Sequence, residues 1–172
     1  MDETQTAISP QAAISRYLTA LRSGAAAPII LFPEQRRLFL VVLTGGVFDV
    51  IHPGHLHTLS EAKKAGAFAH KPVVLVVVVA SDENVTKRKG HEPLHTAAER
   101  AELVGALKPV DLAILGVARW QDTLARVSPD VVVFGYDQKP MELPAGIKVV
   151  HLTSSGANPN SKTGKVRERL GL

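Results

Sequence analysis

Short apolar runs alternate with amphipathic segments along most of this 172-residue chain. The apolar runs are rich in β-branched residues and lack polar alternation, which predicts strands buried on both faces of a sheet. They span 38–44, 73–80, 111–115, 130–134 and 147–152. Helices are predicted between and after them, over 54–65, 96–107, 119–127 and 162–170. This alternation predicts an α/β fold in which helices cover a doubly wound parallel sheet, and ligands of such sheets bind at the carboxyl ends of the strands.

The chain divides into a predicted N-terminal extension, residues 1–37, and a predicted domain over 38–172. A helix is expected over 10–22 because its apolar residues share one face; they are Ile14, Tyr17, Leu18 and Leu21. No pattern in the extension is typical of catalysis, so we expect it to pack against the domain or against a partner subunit.

The composition narrows the classes of function. The chain has no cysteine, which excludes a disulfide framework and a cysteine-ligated zinc site. Its N-terminus lacks the pattern of a secretory signal and its apolar runs are too short to span a bilayer, so we expect a cytoplasmic protein without a membrane partner. The net charge of +4 suits a nucleotide substrate, although a solvated basic surface explains it equally well. It is too weak for a nucleic-acid partner.

The candidate chemistry follows the first predicted strand, in the segment TGGVFDVIHPGH over 44–55. Gly45 and Gly46 allow backbone N–H groups to approach phosphates, and the helix that begins at Pro53 presents its positive end to anions. His52 and His55 can both donate hydrogen bonds to phosphoryl oxygens, which would stabilise negative charge that develops during attack on a triphosphate. A metal site and a structural pair of histidines are the alternatives for these two residues.

The block G-x-F-D-x-x-H-x-G-H within this segment resembles the signature of the cytidylyltransferase-like nucleotidyltransferases. The resemblance extends over about residues 38–170. It implies a Rossmann-like fold and an enzyme that transfers a nucleoside monophosphate from a triphosphate to a phosphorylated small molecule, with release of pyrophosphate. It also implies that His52 and His55 are catalytic, and that the nucleotide is bound by Thr44, Gly45, Gly46, Phe48, Asp49 and Gly54.

The segment after the second predicted strand resembles a loop of this family whose lysines close over the triphosphate. It reads SDENVTKRKG over 81–90, and the resemblance implies nucleotide binding by Lys87 and a catalytic role for Lys89. A solvated run of charges is the alternative. Asp82 is expected to order the start of the loop rather than to take part in the chemistry.

Arg100 lies in a predicted helix that Thr96 and Glu99 open in a capping-box pattern. This helix resembles an arginine-bearing helix of the family, which implies that the Arg100 guanidinium is catalytic and contacts substrate phosphate. A surface salt bridge with Glu99 or Glu102 is the alternative.

Two later segments resemble the family's base-binding and phosphate-binding elements. Gly135 and Asp137 follow the fourth predicted strand in a G-x-D pattern, which implies contacts with the nucleotide base and the acceptor. Ser161 and Thr163 precede the last predicted helix and resemble a segment whose hydroxyls hold the triphosphate. Helix capping explains Ser161 equally well.

No metal site made of protein ligands is predicted. Residues 91–95 match the zinc pattern H-E-x-x-H, but Pro93 forbids the regular helix that this pattern needs. A divalent cation, Mg²⁺, is instead expected to bridge the phosphates of the nucleotide.

Short matches make the chain most similar in appearance to archaeal FAD synthases; they lie at 81–83, 89–90, 107–111 and 135–138. That resemblance implies ATP and FMN as substrates, FAD and pyrophosphate as products, and a homodimer, which is usual in the family. The alternatives are a CTP-dependent cytidylyltransferase acting on glycerol 3-phosphate or another alcohol phosphate, and an adenylyltransferase acting on a sugar phosphate. An alternative of another class is a non-catalytic nucleotide sensor.

Overall fold

The computed structural model describes residues 8–24, 33–117, 119–154, 156 and 163–171. The strands are β1 (Leu40–Gly46), β2 (Val73–Val79), β3 (Leu112–Leu115), β4 (Val131–Phe134) and β5 (Lys148–His151). The α-helices are α1 (Pro10–Arg22), α2 (Pro33–Arg36), α3 (Pro53–Lys64), α4 (Asp82–Lys89), α5 (Ala97–Gly105), α6 (Trp120–Val127) and α7 (Thr163–Leu170). Within the described ranges, no helix combines the length and the apolar character needed to cross a membrane.

The described strands form one five-stranded parallel sheet in the order β3-β2-β1-β4-β5. β1 pairs with β2 along its whole length, but it pairs with β4 only through Val42 and Leu43. The strand order reverses between β1 and β4, so a crevice opens beside the free carboxyl end of β1. The predicted doubly wound, Rossmann-like α/β fold is therefore confirmed.

Alternate residues of β1 enter two hydrophobic layers, because successive side chains of a strand point to opposite faces. Val41 and Leu43 join the layer that holds side chains of α1 and α6, whereas Leu40 and Val42 join the layer that holds side chains of α3 and α5. The sheet is thus covered on both faces, as its uninterrupted apolar runs predicted.

Helix α1 is part of the first of these layers. Its side chains of Ala13, Tyr17 and Leu21 are fully buried, and the Tyr17 hydroxyl donates a 2.8 Å hydrogen bond to the carbonyl of Val127 at the end of α6. The boundary predicted at residue 37 stays a prediction, but α1 shares a hydrophobic core with strands of the predicted domain.

Helix α4 occupies residues that the sequence predicted as a loop. The Ser81 hydroxyl caps it by accepting a hydrogen bond from the Asn84 N–H, and Gly90 ends it with a φ of +75°. Acidic residues fill its first turn and basic residues its last, an arrangement that the helix dipole favours. The prediction of a loop was wrong because only Val85 of α4 is buried, so the segment lacks the apolar periodicity by which helices are recognised.

Candidate active site

His52 lies just beyond the carboxyl end of β1, at the position that caps α3. Its backbone is extended, and its Nδ1 accepts a 3.2 Å hydrogen bond from the N–H of Gly54. A neutral imidazole that accepts at Nδ1 carries its proton at Nε2. The cap therefore fixes the tautomer in which His52 Nε2 is a hydrogen-bond donor, and it fixes the ring at the first turn of α3.

His55 stacks on His52, one helical turn along α3. The two ring centroids are 3.9 Å apart with an angle of 26° between the ring planes. The pKa of His55 is lowered from 6.5 to about 4, mainly by burial and also by the nearby charges of His52 and Lys89, while a hydrogen bond with the Val50 backbone acts in the opposite direction. At neutral pH, His55 is therefore an uncharged donor rather than a cation.

The Phe48 ring packs against His55 of the stacked pair. Its ring centroid lies 5.0 Å from that of His55, and its backbone has a φ of +54°, which is rare outside glycine. A Cβ at Gly46 would lie 2.9 Å from the Phe48 ring, so only glycine at position 46 leaves room for this conformation. The turn therefore places its strain next to the candidate site.

Asp49 turns its carboxylate into the protein, and the side chain is only 2% exposed. Its Oδ1 accepts a 2.7 Å hydrogen bond from the Leu94 N–H, and its Oδ2 lies 3.0 Å from Nη1 of Arg167 on α7. The nucleotide contact expected of Asp49 stays a prediction. In the structure, the carboxylate joins the signature segment to two other parts of the chain.

The Arg100 guanidinium is fully buried. It donates to the backbone carbonyls of His95, Val47 and Ala80 over 3.0, 2.5 and 2.8 Å, and it pairs with Asp82 Oδ1 at 2.5 Å. Asp82 also accepts from the N–H of Ala97 through its other oxygen, so it orders the start of α4 as expected. Phosphate contact by Arg100 stays a prediction, and the observed contacts make this arginine a connector of three loops.

Lys87 and Lys89 both stand exposed on the last turn of α4. Lys87 Nζ lies 2.6 Å from Glu83 Oε1, in an exposed pair that contributes little stability and that a phosphate can replace. Lys89 lies close enough to His55 for its charge to lower the pKa of that histidine. Of the two predicted lysines, the structure thus brings Lys89 towards the histidine pair.

Gln138 spans the crevice between β1 and β4. Its Oε1 accepts a 2.8 Å hydrogen bond from the N–H of Gly135, and its Nε2 donates a 2.7 Å hydrogen bond to the carbonyl of Gly45. The Thr44 hydroxyl makes a second link, donating over 2.9 Å to the carbonyl of Val133. Side chains therefore hold together the strand ends that the parallel sheet leaves unpaired.

The remaining predicted residues lie around this centre or outside the described ranges. Gly54 is buried in the first turn of α3, and Asp137 is exposed beyond β4. The Thr163 hydroxyl donates over 3.4 Å to the carbonyl of Val50, which brings the start of α7 to the signature segment. Ser161 lies outside the described residues.

A cavity of about 490 Å³ lies between α4 and residues 92–96, and neither His52 nor His55 is among the residues that line it. Its lining includes Thr86, Lys87 and Leu94. Among the described residues, no three His, Cys, Asp or Glu side chains are grouped so that they could hold a metal ion.

A model of the cytidylyltransferase-like family matches residues 43–152, which include the signature segment, α4 and Gln138. The chain belongs to this family. The enzyme class predicted from the sequence is thereby confirmed, because the cytidylyltransferase-like fold and the curated relatives are those of nucleotidyltransferases. Its substrate is a nucleotide.

Three relatives of this cytidylyltransferase-like chain illustrate the similarity. The chain is 36% identical over 140 residues to the FAD synthase of Pyrococcus horikoshii, covering 75% of this chain and 90% of that enzyme. It is 53% identical over 98 residues to the FAD synthase of Methanopyrus kandleri, covering 56% of this chain and 63% of that enzyme. The crystal structure of a lipopolysaccharide core biosynthesis protein from Thermoplasma volcanium matches with a TM-score of 0.57 and 37% identity, covering 66% of this chain and 95% of that protein.

Two contacts of this cytidylyltransferase-like site were not predicted from the sequence: the link that Gln138 makes between β1 and β4, and the ion pair of Arg167 with Asp49. Gln138 lies in a segment that resembles archaeal FAD synthases, but its link depends on a strand order that the sequence does not display. No role was predicted for Arg167, because nothing in the sequence distinguishes it from Arg169 on the same charged helix. The sequence carries only a weak signal for this role, because the importance of Arg167 becomes visible only when its buried partner, Asp49, is known.

Proposed function

We propose that this chain is an FAD synthase, which transfers the adenylyl group of ATP to FMN and releases pyrophosphate. The stacked pair of His52 and His55 carries the proposal, because it presents neutral N–H donors beside the crevice where a parallel sheet binds its ligand. The similarity to curated archaeal FAD synthases supports ATP and FMN as the substrates.

In the proposed reaction, a phosphate oxygen of FMN attacks the α-phosphorus of ATP. The bond between this phosphorus and the α,β-bridging oxygen breaks, and pyrophosphate leaves with the bonding electrons. His52 Nε2 and the protonated nitrogen of His55 donate to the phosphoryl oxygens, where charge increases in the transition state. A preorganised donor of this kind lowers the barrier by about 3–4 kcal/mol.

The positive charge in this proposal comes from lysines rather than from the histidines. His55 is uncharged at neutral pH, so Lys89, and Lys87 after release from Glu83, would neutralise the leaving pyrophosphate. The nucleotide contacts proposed for the backbone at Gly45 and Gly46, and for the hydroxyl of Thr163, hold the triphosphate. Those proposed for Gly135 and Asp137 are with the nucleotide base and the acceptor. Arg100 supports this arrangement as a positioning residue.

A divalent cation fits the site as a companion of the phosphates. The described residues contain no group of metal ligands, and both oxygens of the Asp49 carboxylate face protein donors. Mg²⁺ binds readily through phosphate oxygens and retained waters, with few protein ligands. We therefore propose that Mg²⁺ enters with ATP and reduces the charge of the triphosphate. The expected homodimer and cytoplasmic location stay predictions.

Pyrophosphate release from ATP and from CTP tests the proposal, with Mg²⁺ present and with a panel of acceptors: FMN, glycerol 3-phosphate, phosphocholine and sugar 1-phosphates. Turnover with ATP and FMN alone is the expected result. Turnover with CTP and an alcohol phosphate would instead identify a cytidylyltransferase. Nucleotide binding without pyrophosphate release in any combination would favour the nucleotide sensor.

A further inference from the structure

The contact between Asp49 and Arg167 joins the signature segment to a helix that lies more than a hundred positions along the chain. The Asp49 side chain is 2% exposed and that of Arg167 is 16% exposed, so the pair is largely withdrawn from water. A carboxylate removed from water needs a partner for its charge. Arg167 supplies the charge, and the N–H of Leu94 supplies a hydrogen bond to the other oxygen.

We propose that Arg167 is a positioning residue for the nucleotidyl-transfer site, which it orders through Asp49. The proposal rests on the proposed function in taking ATP and FMN as the substrates. Arg167 does not contact the reacting groups. It holds α7 against the segment that leads from β1 to His52, and Asp49 is the junction through which it acts.

Two further contacts bring the C-terminal part of the chain to the signature segment and to helix α3, which follows it. The Thr163 hydroxyl at the start of α7 donates to the carbonyl of Val50, two residues before His52. Gly156 lies so close to His57 of α3 that a Cβ there would be 2.3 Å from the imidazole ring. These contacts are a weak hydrogen bond and a packing contact, so the ion pair of Arg167 is the strongest link that the described residues provide.

Asp49 also contacts the segment that connects helix α4, which bears the two lysines, to helix α5. Leu94 donates its N–H to Asp49, and the Nδ1 of His95 lies 3.3 Å from the backbone carbonyl of Asp49. Residues 91–96 connect α4, which carries Lys89, to α5. Asp49 therefore links three parts of the chain: the signature segment, the connection over residues 91–96, and helix α7.

Removal of the Arg167 charge would leave a buried carboxylate without a charged partner. The carboxylate can regain solvation only if α7 and the signature segment separate. Separation would move the Val50 carbonyl and, through it, the backbone before His52. A displacement of about 1 Å at a group that positions a reaction can lower the rate about a hundred-fold, so loosening should affect the site and not only the stability of the fold.

The test compares four full-length proteins: wild type, Arg167→Met, Arg167→Lys and Arg169→Met. Arg169 is exposed on the same helix, so its variant controls for the loss of one positive charge. Each protein is measured for ATP affinity by calorimetry with Mg²⁺, for kcat and KM of FAD formation, and for hydrogen exchange of the α7 amides without substrate. The variant Asp49→Asn, alone and with Arg167→Met, completes a double-mutant cycle.

We expect Arg167→Met to lower kcat/KM by about ten- to a hundred-fold and to accelerate exchange in α7, with Arg167→Lys recovering part of both and Arg169→Met changing neither. The loss in the double variant should be no greater than that of Asp49→Asn alone, because Arg167 acts through Asp49. The proposal would be overturned if Arg167→Met kept the wild-type ATP affinity, kcat/KM and α7 exchange rates. It would also be overturned if Arg169→Met lost as much kcat/KM as Arg167→Met.

The same experiment separates this proposal from the proposed function. If the wild-type protein forms no FAD, the proposed function fails, and ATP affinity and α7 exchange still decide the role of Arg167. If the wild-type protein forms FAD and Arg167→Met accelerates only the exchange of the α7 amides, with native ATP affinity and native kcat/KM, the proposed function stands and the positioning role is contradicted.

Discussion

Replacing Arg100 with methionine should lower the free energy of unfolding, because the hydrogen bonds of its buried side chain are lost. The substitution removes hydrogen bonds to the carbonyls of His95, Val47 and Ala80. These three bonds are part-buried, so water can replace them only in part, and each lost acceptor bond costs about 1 kcal/mol at the lower end of the usual range. Asp82 is 45% exposed, so its charge can be solvated and adds little.

The expected loss is about 3 kcal/mol in the free energy of unfolding, which corresponds to a fall in melting temperature of roughly 10 °C for a chain of this size. Urea denaturation followed by circular dichroism measures the free energy. Glu102→Gln, on the exposed part of the same helix, should change it by less than about 0.5 kcal/mol. A variant Arg100→Met that is as stable as the wild type but inactive would refute the reasoning, and would favour direct contact between Arg100 and the substrate.

Three further predictions concern the crevice and the histidine pair. Gly46→Ala should lower kcat at least about ten-fold, because its Cβ would meet the Phe48 ring that supports His55; Gly105→Ala, whose Cβ meets nothing closer than 3.8 Å, is the control. Gln138→Leu should lower the free energy of unfolding by about 1–3 kcal/mol, since two strand-end groups lose their partner; unchanged urea denaturation would contradict this. Because the folded pKa of His55 is about 4 and its ordinary value is 6.5, the unfolded state binds more protons between these values. The stability that neutral His55 contributes is therefore complete above pH 6.5 and is lost as the pH falls towards 4. Wild-type stability should fall more steeply over this window than that of His55→Gln, and equal slopes in urea denaturation would exclude the lowered pKa.

The sequence was sufficient for the elements whose formation depends on local pattern. The valine-rich run of β2 could only be a strand covered on both faces, because a run without polar positions leaves no face for water. Thr96 and Glu99 make the capping box that their spacing predicted, with both of its hydrogen bonds present. Because the order of strands and helices determines where the strand ends lie, the location of the candidate site followed from the same pattern.

The sequence was insufficient where a residue's role depends on partners far along the chain. Arg100 was expected to contact substrate phosphate, with a surface salt bridge as the alternative, and both roles need an accessible guanidinium. In the structure, it is buried and donates to three carbonyls from separate loops. Helix α4 depends on Ser81 as a cap and on its ordered charges, not on an apolar face. Tyr17 reads as one apolar position of an isolated helix, and only the structure shows that its hydroxyl reaches Val127.

The rate of FAD formation at saturating ATP and FMN, in wild type and in His55→Ala, tests the central claim most directly. Wild type should form FAD and pyrophosphate in equal amounts, and His55→Ala should retain its fold while its kcat falls about a hundred- to a thousand-fold. Near-native turnover by a folded His55→Ala, or no FAD formation by the wild type, would contradict the account.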